Sequence, residues 1–541
     1  MAKVNLPYGI DDFAKVRESN CYYIDKTGFI KELLDRTFDV NLITRPRRFG
    51  KTLTMSMLAA FFDIRKDSRK LFDGLEIAKN AEFCEEWMNQ WPVLFLTLKD
   101  VNGRKFDGAY GLLEQTIAKL CMEHSYLQKS DKVESADAEG FSRLMYRRGN
   151  SIDVQCALDT LLRMMGAHYG KKVILLIDEY DVPLAKASDN GYYGDMLEVI
   201  RSLLGMVWKS NPNLKFAVVT GCLRIAKESI FTDANNFISN SMSNKKYQDY
   251  FGFSETEVTA LLDAAELQDA LPEMKKWYDG YYLNRVGHVY SPNSVMEAIN
   301  NEEFQNYWSQ TETYESLKVY IEMDFDGLKQ RIVEMLGGAR IKIEVGSFQN
   351  DMTTFHCADD VLTLLIHLGY LAYDSKTEKA FIPNEEVRSA FVLAIRNRGW
   401  DEVYKAIENS EKLLKATLAM NETAVAKMLQ DVHMQNSSSL VYNNEVSLAS
   451  IIQLAYYTAA KEYTIIRELP AGEGFADMVF IPKRTSKKPA LVVELKWDKS
   501  AEGAISQIKD KKYVTALEEY KGNILLVGIN YDRKTKEHQC K

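Results

Sequence analysis

Residues 40–62, VNLITRPRRFGKTLTMSMLAAFF, join a β-branched apolar run to a helix-forming run through a six-residue loop. Gly50-Lys51-Thr52 stands at the junction. There, successive backbone N–H groups can curl round an anion at a helix N-terminus, with a lysine reaching the outer phosphates and a hydroxyl holding Mg²⁺. The phosphate-loop pattern G-x-x-x-x-G-K-[ST] is met only in its second half. Arg45 occupies the place of the first glycine, followed by Pro46, Arg47 and Arg48. That glycine governs the turn into the loop rather than the phosphate contacts, and Pro46 can preset a turn dihedral instead.

A strand of this kind needs parallel neighbours covered by helices. The chain supplies them: PVLFLTL (92–98), KVILLID (172–178) and KFAVVTG (215–221), separated by amphipathic stretches such as GLLEQTIAKLCMEH. The expectation is an α/β fold with an N-terminal P-loop ATPase parallel sheet over residues 1–225. Residues 226–400 read as a helical lid and a winged-helix-like region, in which VLTLLIHLGYLAYDSKTEKAFIPNEEVRSAF gives helix, hairpin, helix. After HMQNSSSLVYNNE (433–445), the best linker candidate, a helix is expected over 446–462. The runs YTIIREL, FADMVFIP, ALVVELKW and NILLVGI, with the helical AISQIKDKKYVTAL among them, then read as a compact α/β domain, 401–541 overall.

At 541 residues the chain is too long for one core. Seven cysteines without a C-x-x-C pair suit reduced thiols, and seven histidines without H-x-x-x-H or H-E-x-x-H spacing argue against a zinc enzyme. No apolar signal core opens the sequence and no run of 18 apolar residues follows, so a cytoplasmic protein without a membrane partner is expected. Net charge is −8, but residues 482–541 hold 14 Lys+Arg against 8 Asp+Glu, a local +6 that leaves −14 for the remainder. Such a tail suits a phosphate-rich ligand or, equally, a solvated lysine-rich face.

Two constellations carry chemistry. In the first, Gly50 allows close backbone approach, Lys51 supplies charge, and Thr52 sits where a magnesium ligand belongs. The strand KVILLID ends in Asp178-Glu179: the aspartate can hold Mg²⁺ through water and the glutamate can polarise an attacking water. The bland alternative is a buried strand running into an acidic turn. ATP with Mg²⁺ is the expected ligand. Thr220, at the end of the next strand, is placed to sense the γ-phosphate, and Arg224 either stabilises its charge or starts a helix at the surface. Arg47, Arg48 and Phe49 complete the candidate nucleotide-binding set, although the loop arginines, Arg45 included, have three open readings: phosphates, a partner or solvent.

In the second constellation, Glu494 and Lys496 lie two apart on one strand and so face one side. A hairpin through KRTSKKP can bring Asp477 beside Glu494. Two carboxylates would then hold Mg²⁺, with the lysine positioning or activating a hydrolytic water near a phosphodiester. An E-x-K pair is also common as a solvent-facing ion pair, so this reading needs the geometry.

With these residues in view, the chain resembles the AAA-ATPase-like proteins linked to a PD-(D/E)XK nuclease-superfamily domain. The resemblance rests on LPYGIDDFAKVRESNCYYIDKTGFIKELL, LITRPRRFGKTLTMSML, LLIDEYDVPL, TGCLRIAKESIF, YFGFSETEV, WYDGYYL and GYLAYDSKTEKAFIPNEEV, and covers nearly the whole length. It implies that the opening arginine is a family feature and that Tyr23, Asp25 and Lys26 pack beside the nucleotide site. D-x16-E-x-K is the arrangement of the nuclease superfamily, which has the same α/β core. By that resemblance Glu445 supplies an extra acid and metal ligand from the first helix, and Gln507 matches the polar residue of a later helix. Gly474-Phe475 departs from the Gly-Arg often found before the aspartate. The resemblance favours nucleic acid, DNA by default, as the partner of the tail. It leaves open an oligomer and a rival reading: an ATP-dependent regulatory or interaction protein whose nuclease fold is catalytically inactive.

Overall fold

The computed structural model describes residues 4–541 except 36–37, 209–210, 224, 226–229, 231–236, 243, 245, 284, 309–312, 324, 326, 347, 349–354, 396–400, 437–451, 453–454, 462, 472–473, 483–487 and 511–522. For 313–316, 401–406, 408, 432–436, 460–461, 464, 467–471 and 474–476 it describes the backbone alone. The chain divides into two compact units, residues 1–310 with 343–387, and 311–342 with 388–541.

The first unit is built on a five-stranded parallel sheet of β1 (Val40–Thr44), β2 (Val93–Thr97), β3 (Val173–Asp178), β4 (Leu214–Gly221) and β5 (Phe237–Asn240), in the order β2-β3-β4-β1-β5. β1 and β3 are buried along their whole length, as strands covered on both faces must be. Register aligns Thr44 with Gly221 and Ile177 with Val219, so the C-terminal ends of β1, β4 and β3 finish side by side. The helix α1 (Lys51–Phe62) follows β1 directly. Its Leu58, Phe61 and Phe62 pack with Phe13, Phe29, Ile174, Leu176 and Val218 in one core, each such side chain contributing about 1.5–3 kcal/mol by leaving water.

β5 was not expected from the sequence. FISN is short and half polar, too weak a pattern to stand out, and it becomes a strand because β1 offers it an edge.

Beyond the sheet, the helix Glu255–Ala264 starts with a reciprocal cap between Ser254 and Glu257. The helix α2 (Pro292–Asn301) has proline in its first turn. The helix Ala358–Leu368, the antiparallel pair Ala372–Asp374 and Lys379–Phe381, and the helix Glu385–Ile395 give the helix, hairpin, helix read from sequence. The aromatic turns WYDGYY and YFGF bury Tyr278, Tyr281, Phe251 and Phe253 and leave Tyr282 exposed.

The second unit carries a mixed sheet of β6 (Tyr463–Ala471), β7 (Gly474–Pro482), β8 (Ala490–Trp497), β9 (Ile524–Asp532) and β10 (Glu537–Cys540), in chain order. Only the β8–β9 pair is parallel. The crossover between them includes the helix α3 (Ala501–Asp510). Leu491, Val493 and Leu495 of β8 enter one core and Ala490 and Val492 the other, so both faces of the strand are covered. The first four residues of the expected linker, 433–436, belong to the helix Glu422–Asn436. The rest of it, and most of the helix expected over 446–462, lie outside the described residues. No described helix is long and apolar enough to cross a membrane.

Candidate functional site

At the end of β1 the chain turns through Arg48, at φ 65°, and Gly50, at φ 82°. The left-handed Gly50 is the residue before α1, where a Cβ would be strained, and it frees the amides of the first helical turn. The Lys51 ammonium is buried and donates to the carbonyls of Arg45 at 3.0 Å and Pro46 at 2.8 Å, with Cys222 Sγ at 3.5 Å. The Thr52 hydroxyl donates to Asp178 Oδ2 at 2.8 Å. Thr220, on the strand that separates β1 from β3, donates to Asp178 Oδ1 at 2.5 Å. A carboxylate 126 residues from the loop is thus fixed beside its hydroxyl. This oxygen donor pair suits a hard cation that keeps several of its waters, as Mg²⁺ does.

Glu179, the next residue, has a positive φ of 54° and lines a cavity of about 360 Å³ together with Gly50, Lys51 and Thr52. Burial and the neighbouring Asp178 push its carboxyl above the usual range while Lys51 opposes them, the direction that suits a proton acceptor.

The loop arginines separate into different tasks. Arg45 is fully buried; it donates to the carbonyls of Thr44 (2.8 Å), Asn240 (2.9 Å) and Tyr247 (3.4 Å), and its guanidinium lies 4.9 Å from the Phe251 ring centre. Burial lowers its pKa to about 9. The residue in the glycine's place therefore clamps β1 to β5 and does not face the cavity. Arg48 lines the cavity and donates to the Tyr307 carbonyl at 2.8 Å. For Arg47, burial is outweighed by Cys222, Tyr370, Asp181 and Glu179, which hold its pKa above the ordinary arginine value. The Phe49 side chain is buried, edge-on to Tyr281 at 5.2 Å, which leaves only its backbone to a ligand. Arg224 lies outside the described residues.

Sequence reading passed over the closing acid of IDEYD. Asp181 is buried and accepts from the amides of Cys222 and Leu223, both at 2.8 Å. The Tyr180 hydroxyl accepts from the Ile225 amide and donates to the Leu223 carbonyl. A Cβ on Gly221 would stand 2.6 Å from Asp181 Oδ1, so only glycine lets β4 end against this turn. The third acid in four residues was the available signal. Of the segment expected beside the nucleotide site, Tyr23 and Lys26 line the cavity, and Lys26 forms an ion pair with Glu257 at 2.6 Å. Asp25 instead accepts from the amides of Thr27 and Glu76.

In the second unit, β7 and β8 pair with Met478 opposite Val493, which puts Asp477 one step on, across from Glu494. Val479 of β7 and Val492 of β8 pack with Ile508 of α3, so Asp477, Glu494 and Lys496 share the face that α3 covers. Glu494 and Lys496 are both buried, with Nζ 2.9 Å from Oε1. Gln507 of α3 donates its side-chain amide to the same Oε1. Half-buried Asp477 accepts from the Leu495 amide at 2.7 Å.

Gly528 makes the meeting possible. It stands beside Glu494 in the parallel register, and a Cβ there would lie 2.5 Å from the Ala501 carbonyl oxygen and 3.1 Å from Ala504 Cβ. Its bareness lets α3 approach closely enough to deliver Gln507. Glu445 lies outside the described residues, and among the described residues no group of three or more His, Cys, Asp and Glu side chains could hold a metal. Asp477 and Glu494 are a two-carboxylate donor set, which fits Mg²⁺ completed by water and substrate oxygens.

Comparison with known proteins finds a family match in each half of the chain. Residues 7–231 match the family described as predicted AAA-ATPase, and residues 444–540 match the PD-(D/E)XK nuclease superfamily. A protein of Azotobacter chroococcum mcd 1, described as an uncharacterized protein in the vnfD 5' region, is 30% identical over 317 residues, 58% of this chain. The match spans 55% of that protein, so the chain covers about half of its relative's length.

Proposed function

We propose that this chain, an AAA-ATPase-like domain followed by a PD-(D/E)XK nuclease-superfamily domain, hydrolyses ATP and uses it to control a Mg²⁺-dependent nuclease acting on DNA. The observation that carries the reading is the convergence of Thr52, Thr220 and Asp178 beneath the Gly50–Lys51 turn. Amides at the start of α1 would hold the β- and γ-phosphates, Lys51 would leave its loop carbonyls to reach them, and Glu179 would take a proton from the attacking water. Thr52 and Asp178 would hold Mg²⁺, which supplies charge neutralisation when bound.

In the second unit, Asp477 and Glu494 would hold Mg²⁺, Lys496 would orient the hydrolytic water, and Gln507 would hold Glu494 in place. The positive charge of residues 482–541 suits a phosphodiester backbone. Both chemistries suit a cytoplasmic protein.

The second reading is ATP-dependent binding without cleavage. It is favoured by Glu494 Oε1, which already receives both the Lys496 ammonium and the Gln507 amide. One experiment separates the two. The purified chain is incubated with plasmid and single-stranded DNA, with Mg²⁺ or Mn²⁺, with and without ATP, following phosphate release and strand breaks together. Breaks that vanish in Lys496→Ala support the nuclease; retention of DNA on a filter without breaks supports the binder. ATP turnover unaltered in Glu179→Gln removes that residue from its role.

A further inference from the structure

Most of the cavity wall is not phosphate loop. Besides Gly50, Lys51, Thr52 and Glu179, it is made by the N-terminal segment through Tyr8 and Ile10 and by α2 through Pro292, Asn293 and Met296. The loop amides and Lys51 account for phosphates; of the rest, the charged Asp11, Lys26, Arg48 and Glu297 stand among apolar and aromatic groups that suit a flat ring.

Two residues there are unusual. Tyr8 is 59% exposed, a large aromatic left at the rim of a cavity. It is held there firmly: Leu6 behind it is buried in the core that α2 helps to form, its own amide donates to the Leu6 carbonyl at 2.9 Å, and Asp12 caps the helix that begins at buried Phe13. Asn293 carries a side-chain nitrogen, Nδ2, that is buried and has no hydrogen-bond partner among the described residues. Buried amides are rarely left so, and the soft terminal torsion of asparagine lets this one turn towards a ligand in the cavity.

We propose that Tyr8 and Asn293 form the base-recognition end of the nucleotide cavity, Tyr8 stacking on the ring and Asn293 reading its edge as adenine. The inference rests on the ATP site proposed above. An asparagine amide offers one donor and one acceptor, which match adenine N7 and N6–H₂ together, whereas guanine presents two acceptors at N7 and O6. Pro292 and Met296 supply the apolar wall beside the ring. The site therefore takes a purine nucleoside triphosphate and prefers adenine.

Calorimetric titration of the full chain with ATP, GTP and inorganic tripolyphosphate, each with Mg²⁺, tests this. Tyr8→Ala should weaken ATP and GTP about tenfold, the order of one lost base stack, with tripolyphosphate unchanged and Tyr8→Phe like the wild type. Asn293→Ala should weaken ATP alone and erase its advantage over GTP. Wild-type binding of ATP that neither substitution alters, or equal losses for tripolyphosphate, overturns the proposal while leaving the phosphate site standing. A wild-type chain that binds neither ATP nor tripolyphosphate overturns both.

Discussion

The two centres are assembled by opposite means. At the first, Thr52, Asp178 and Thr220 come from three places along 169 residues, and they meet only because β4 stands between β1 and β3 in a parallel sheet. At the second, Glu494 and Lys496 share one strand, Asp477 lies across a hairpin, and Gln507 is one helix away. Long-range assembly makes the first site hostage to sheet topology. Local alternation makes the second hostage to a single close helix–strand contact. The glycines mark the difference: Gly221 lets the end of β4 abut Asp181, and Gly528 lets α3 abut β9.

The largest expected effects break each centre alone. Lys51→Ala should reduce ATP turnover, and Lys496→Ala strand cleavage, each on the order of 10²–10³-fold, the usual loss of one electrostatic donor at a reacting group. Steady-state phosphate release and plasmid nicking check them. Next come the two glycines. Gly528→Leu must push α3 away from Glu494, and cleavage should fall well below that of Gln507→Ala while ATP turnover is kept; Gly221→Ala should do the reverse. If both substitutions damaged both activities equally, the local and long-range distinction would be wrong.

Arg45→Met should cost about 3 kcal/mol of stability in urea unfolding, because three carbonyls lose a charged donor. Nothing comparable is expected from Arg48→Met, whose side chain makes one such bond to Tyr307. The last effect shows only as a pH dependence and concerns Glu386, buried in the first unit and accepting from Ser294 and the amides of Tyr307 and Trp308. Burial raises its pKa from 4.5 to about 7. The folded state therefore binds the proton more tightly than the unfolded chain. Its contribution is full below about pH 4.5 and fades as pH rises through 7. Glu386→Gln should flatten that part of the stability profile, read as melting temperature against pH.

The stretches proposed to carry chemistry at both centres could be picked out from sequence alone, because each is local. A turn residue before a helix, an acid at a strand end and an alternating E-x-K pair follow from chain periodicity, and four of the five strands of the first sheet were legible as apolar runs. At the second centre the hairpin also put Asp477 beside Glu494; which groups touch at the first was not legible. The strand order decides that Thr220 rather than a β1 residue reaches Asp178, and a six-residue pattern cannot announce that order. The opening arginine is the sharpest case: its charge suggested several partners, yet burial against Asn240 and Tyr247, some 200 residues away, made it a clamp. Residue type and spacing set what a side chain can do; three-dimensional packing sets what it is near, since desolvation and contact depend on neighbours that the linear order does not name.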